Sequence, residues 1–238
     1  MTGITLLLAL LPQAEEAAAQ QALEKFRSAY AKADVSVRSA AVTELAATRH
    51  DLVLRKLAVL LLTDEKEVRV AAARGLSAFE GHKKRAAAAL AGAMDPNSRI
   101  PDVLTAILQA LGTLREEESL PAIHKCLRRR ETAVALAAVA AVEAIHCPAL
   151  SVDPMVEALR GYEKTVKMAD SDAGGGGAGG LIAIPGGGDE VKHARELRAR
   201  ILKAFQKWTG ERWPTAGEWE GWWERQKKKG ALRKKECR

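Results

Sequence analysis

Four side chains of metal-ligand or nucleophile type fall in one stretch of the chain: His124, Cys126, His146 and Cys147. Imidazole and thiolate are the ligands of structural zinc, and a closed site needs four of them on converging elements. The spacing opposes this, because residues two apart on a helix do not share a face. In an antiparallel helical hairpin, Cys126 sits near the turn, while His146 and Cys147 sit at the far end of the second helix. The same separation argues against a Cys126–Cys147 disulfide. With Cys237 the cysteines number three, an odd count at irregular spacing and so no disulfide framework. The other histidines, His50, His82 and His193, are scattered, and no H-E-x-x-H, C-x-x-C or G-x-S-x-G occurs. The glycine-dense segment 170–189 lacks the Gly-Lys-Ser/Thr that a phosphate-cradling loop requires after a strand, and reads as a flexible loop. No catalytic residue, metal or cofactor is assigned, and a non-enzymatic protein is expected.

Two other groups are chemically conspicuous. Trp219, Trp222 and Trp223 fall at i, i+3 and i+4 on one helical face, behind a Thr215…Glu218 capping box. They suit either an exposed aromatic binding surface or a cap that closes the apolar end of an array. The basic excess is concentrated: 224–238 holds eight Lys/Arg against two acids, and the other residues hold 29 against 28. A net charge of +7 therefore describes a tail on a near-neutral body, and no specific nucleic-acid partner is expected. The tail has no interleaved aromatics on which bases could stack.

The elements that position these residues are legible in a repeat. Val37-Arg38, Ala41 and Leu45 give V-R-x-x-A-x-x-x-L, and Val68-Arg69, Ala72 and Leu76 repeat it unchanged. Val103, Ile107 and Leu111, then Val134, Ala138 and Val142, keep the apolar positions without the arginine. Offsets of 31, 35 and 31 residues separate the four valines. Spacing of i, i+4, i+8 puts these side chains on one helix face, and Asp34 and Asp64 stand ahead as caps. Between them lie further apolar helical stripes: Leu54, Leu57, Leu61; Ala86, Leu90, Met94; Leu120, Ile123, Leu127. Alanine and leucine dominate, aromatics are 4%, and alternating strand patterns are absent, which favours close-packed helices.

On these residues the chain resembles the HEAT-repeat family, in the short bacterial form typified by phycobilisome-lyase-like proteins. The resemblance spans 15–169 and is strongest in the first two units. It implies an all-α fold: a right-handed α-solenoid of about four to five HEAT-like helix pairs, with a C-terminal Trp-rich helical cap. It further implies that Arg38 and Arg69 join Asp34 and Asp64 in a ladder between stacked repeats; the alternative is that such arginines face a partner. The expected function is a protein–protein interaction scaffold for an unidentified protein or peptide, with Arg38, Glu44, Arg74, Gln109, Trp219, Trp222 and Trp223 as candidate partner-binding positions. Two alternatives stay open: a bilin lyase-like enzyme or subunit, and a nucleic-acid-binding HEAT-like protein. The first needs an aromatic or acidic pocket, and the repeat region offers only Phe26, Tyr30, Phe79 and Tyr162 as aromatics.

The expected organisation is a candidate signal peptide (1–19), the solenoid (20–169), the glycine-rich loop (170–189), amphipathic and Trp-rich helices (190–224) and a basic tail (225–238). The apolar run 4–11 is too short to span a bilayer, so no transmembrane segment is expected. Its length and the following Ala17–Ala19 suit a cleaved export signal, which places the protein in the periplasm or outside the cell. The alternative is an ordinary first helix in the cytoplasm, since no Lys or Arg precedes the run.

Overall fold

The computed structural model describes residues 3–31, 34–174 and 187–229, with side chains given for 13–31, 34–171 and 188–229. Every regular element among them is helical. The helices are α1 (Gly3–Tyr30), α2 (Val35–Leu45), α3 (Asp51–Thr63), α4 (Lys66–Leu76), α5 (Lys83–Gly92), α6 (Pro101–Leu114), α7 (Leu120–His124), α8 (Thr132–Ile145), α9 (Pro148–Gly174), α10 (Gly187–Thr209) and α11 (Ala216–Lys229). Short 3-10 turns at Glu80–His82 and Glu117–Ser119 precede α5 and α7. No helix among the described residues is long and apolar enough to cross a membrane.

Local chemistry sets many of the helix ends. The Asp34 carboxylate accepts the Ser36 N–H at 2.7 Å, and His50 Nδ1 accepts the Leu52 N–H at 3.2 Å, each satisfying a donor that the first turn leaves open. Pro101 starts α6, where its missing N–H costs nothing. The α6 and α8 helices end on left-handed residues, Arg115 (φ 55°) and His146 (φ 54°), whose N–H groups bond back to Leu111 and Val142. Both stand twelve residues after their repeat valines, Val103 and Val134.

The chain divides into two compact units, 1–119 and 120–238. The boundary falls within the span that the repeat pattern treats as continuous. In unit 1, α1 packs with α2, α3 with α4 and α5 with α6. Even helices also neighbour even ones (α2–α4–α6), and odd neighbour odd (α1–α3–α5). Val68, Ala72, Leu76, Val103, Ile107 and Leu111 are fully buried in this core. Gly75 permits the α2–α4 approach: a Cβ there would lie 2.7 Å from the Ala46 Cβ.

Unit 2 pairs α7 with α8 and α9 with α10; α8 neighbours α10, α7 neighbours α9, and α11 lies on α9. Val134, Ala138 and Val142 of α8 and Leu197, Ile201 and Phe205 of α10 are fully buried. The Thr215–Glu218 capping box is formed: Glu218 N–H donates to Thr215 Oγ1 at 3.3 Å, and Thr215 N–H donates to Glu218 Oε2 at 3.1 Å. Three contacts fix α11 to α9: Ala216 N–H to Glu163 (3.0 Å), Arg160 to Glu220 (2.6 Å) and Lys227 to Asp153 (3.1 Å).

The element boundaries differ from the sequence reading in several places. The α9 helix starts at Pro148 and carries Pro154 inside it. One lost backbone bond there is offset by burial of Val152, Met155, Val156 and Leu159. The same helix continues to Gly174, because nothing before the glycine run breaks its backbone ladder, and α10 begins at Gly187. Residues 170–174 and 187–189 are thus helical, and 175–186, the remainder of the expected loop, lies outside the described residues. Arg225 and Lys227–Lys229 end α11; the rest of the basic tail, with Cys237, lies outside them too. The α1 helix crosses 17–19 without a break.

Candidate functional site

A polar ladder runs along unit 1 behind α2, α4 and α6. Arg38 donates to Asp64 at 3.2 Å and to Glu65 at 2.7 Å, with its side chain 18% exposed and that of Asp64 10%. Arg69 donates Nε–H to the Asp64 carbonyl (2.6 Å) and Nη1–H to Asn97 Oδ1 (2.9 Å). Asn97 is fully buried, and its amide donates to the carbonyls of Leu61 (3.2 Å) and Ala93 (2.8 Å). Each repeat arginine thus reaches the polar residue ahead of the next even helix. Asp34 has no preceding repeat and caps α2 instead; hydrogen bonds from Ser36 hold its carboxyl below the usual range. Leu104 stands in the arginine slot of α6, where the ladder stops. The sequence reading missed Asn97, because it lies six residues before Val103 while Asp64 lies four before Val68.

With the arginines turned inward, what the even helices present outward is a register-matched row. One residue before the repeat valine stand Ser36, Glu67 and Asp102; six after it stand Thr43, Arg74 and Gln109; all six are exposed. Ser39, Val70 and Thr105, two after the valine, are half-buried between them. Arg74 and Gln109 make no side-chain hydrogen bond among the described residues. Glu44 is exposed and paired with Lys25 of α1. Arg38 therefore separates from its fellow candidates Arg74, Gln109 and Glu44: its guanidinium is committed to the ladder and lies over the Tyr30 ring at 5.8 Å. The row is mostly polar, and unit 1 carries 15 Lys/Arg against 15 Asp/Glu. Unit 2 carries 22 against 15, so the whole net charge resides there.

The tryptophans take the inward of the two alternatives. Trp219, Trp222 and Trp223 are 1%, 8% and 3% exposed. Trp219 packs on Phe205 at 4.6 Å and edge-on to Trp222 at 5.5 Å, and its indole N–H donates to the Trp213 carbonyl at 2.8 Å. These side chains fill the α9–α10–α11 core and cannot serve as an exposed partner-binding surface, because α11 lays its apolar face against α9 and α10.

The His/Cys group does not converge. His124 Nε2 lies 3.2 Å from Ser151 Oγ, and burial pushes its pKa down; Ser151 itself is fully buried, so no nucleophile is presented. His146 rests edge-on against Trp208. Cys126 and Cys147 are buried. Among the described residues no three His, Cys, Asp or Glu side chains gather where they could hold a metal. No protein-family model matches the chain, and no curated protein is significantly similar to it.

Proposed function

We propose that the chain is a non-enzymatic, HEAT-like scaffold that binds a protein partner along the outward row of α2, α4 and α6. In this reading the helix pairs form a right-handed solenoid of about four to five units, closed by the Trp-rich helix. The observation that carries it is the division of labour on the even helices. At matched positions Arg38 and Arg69 point into a half-buried ladder, while Arg74 and Gln109 point out with no side-chain hydrogen bond among the described residues. A rigid, neutral, hydrogen-bonding surface suits an extended polypeptide segment, whose main chain offers donors and acceptors at regular intervals. A polyanion would require a basic field that unit 1 lacks. Export is part of the proposal, on the apolar run 4–11 followed by Ala17–Ala19.

Site-specific photocrosslinking tests this. A benzophenone residue at Gln109 or Thr43 is expected to yield a discrete protein adduct that resists nuclease. The same residue at Lys84, exposed on the odd helix α5, is expected to yield none. Equal adducts from both faces, or none from either, refute the reading.

A further inference from the structure

Unit 2 holds a cleft of 480 Å³ bounded by the 128–132 turn, the middle of α9 and the first turns of α10. That volume falls within the range of small-ligand sites, roughly 300–1,000 Å³. The turn contributes Arg128, Arg129 and Arg130, and α10 contributes Asp189 and Glu190. Arg129 is anchored by two 3.0 Å hydrogen bonds to Glu131. Arg128 meets Glu157 at 3.1 Å with both side chains more than half exposed, a pair that solvent weakens and that a ligand can displace. Arg130, Asp189 and Glu190 are exposed and form no ion pair among the described residues. Opposite charges thus line one cleft without reaching each other.

The remaining polar groups are already occupied. Tyr162 donates its hydroxyl to the Leu127 carbonyl at 2.6 Å, and His193 Nδ1 lies 2.8 Å from Thr132 Oγ1. Their rings meet edge-to-face at 5.6 Å and offer apolar surface instead. Gly161 adds no side chain to the α9 wall. A simple anion in this space would face the two acids, and a simple cation would face the arginines. A ligand bearing both charges answers both.

We propose that this cleft binds a short zwitterionic peptide, with its carboxylate on Arg130 and Arg128 and its ammonium on Asp189 and Glu190. The site lies in unit 2 and is independent of the α2–α4–α6 face, so failure of either proposal leaves the other standing.

The test is a titration of the full-length, isotope-labelled chain with the dipeptide Ala-Ala, followed by backbone amide shifts. Saturable shifts are expected at 128–132 and 189–194. N-acetyl-Ala-Ala and Ala-Ala-amide each lose one charge-assisted contact and are expected to bind about tenfold or more weakly. Arg130→Ala and the double variant Asp189→Asn/Glu190→Gln are expected to weaken Ala-Ala similarly. Lys203→Ala, which removes an exposed charge elsewhere on α10, leaves it unchanged. These are exposed positions, and far-UV circular dichroism confirms that the variants fold. The proposal is overturned if no saturable shift occurs at millimolar peptide, if either capped peptide binds as well as the free one, or if acetate or phosphate alone matches Ala-Ala.

Discussion

Replacing Asn97 by alanine removes three hydrogen bonds from a side chain that no water reaches. The bond from the Arg69 guanidinium contributes about 1.5–3 kcal/mol, and the two amide-to-carbonyl bonds about 1 kcal/mol each. The variant also leaves Arg69, half-buried, with only the Asp64 carbonyl as an acceptor among the described residues. Asn97→Ala should therefore cost about 3.5–5 kcal/mol of unit 1 stability. Asn97→Asp separates the contributions. It keeps an oxygen for Arg69 but turns carboxylate oxygen towards the Leu61 and Ala93 carbonyls, and should still cost about 2 kcal/mol. Urea unfolding followed by far-UV circular dichroism is the assay, because every tryptophan lies in unit 2 and fluorescence does not report on unit 1. A double-mutant cycle with Arg69→Met should give a coupling of about 1.5 kcal/mol or more. A loss below about 1 kcal/mol for Asn97→Ala, or a coupling near zero, would refute the claim that the ladder stabilises the stacking of α2, α4 and α6.

Two further outcomes follow from the packing and the titration behaviour. Gly75→Ala should destabilise by about 1–3 kcal/mol, despite the roughly 1 kcal/mol gain in helix propensity, because the new methyl meets Ala46 at 2.7 Å; a stabilised variant in urea unfolding would show that α2 can yield. Burial pushes the Tyr162 hydroxyl up to about 12. The unfolded chain, with its tyrosine near the ordinary value of about 10, ionises first, so this stabilisation is complete below pH ~10 and is lost as pH rises towards 12, by at most about 2.7 kcal/mol. Stability measured against pH for the chain and for Tyr162→Phe should converge across that window, and the 295 nm absorbance difference between them should titrate near pH 12. A midpoint near 10 would place the hydroxyl in solvent.

Periodicity is a property of the chain, and it made the helices and their buried faces readable before any contact was known. The i, i+4, i+8 positions at 68, 72, 76 and at 103, 107, 111 are buried because only that spacing keeps a stripe on one side of a helix. The Thr215–Glu218 box was legible for the same reason: both partners lie within one turn. Other features depended on neighbours far along the sequence. Asn97 acts on Leu61, 36 residues away, and Gly75 is required only because Ala46 stands opposite it. The tryptophan stripe was compatible with a cap or with a binding surface, since amphipathicity says that a face is apolar but not what covers it; α9 and α10 decided that. Arg38 and Arg74 are identical residues on equivalent helices, and sequence reasoning left Arg38 in two roles, ladder and partner-facing, while it placed Arg74 only in the second. Tertiary packing separated them, because a guanidinium goes to the carboxylate within its reach: Arg38 finds Asp64 and Glu65, and Arg74 finds solvent.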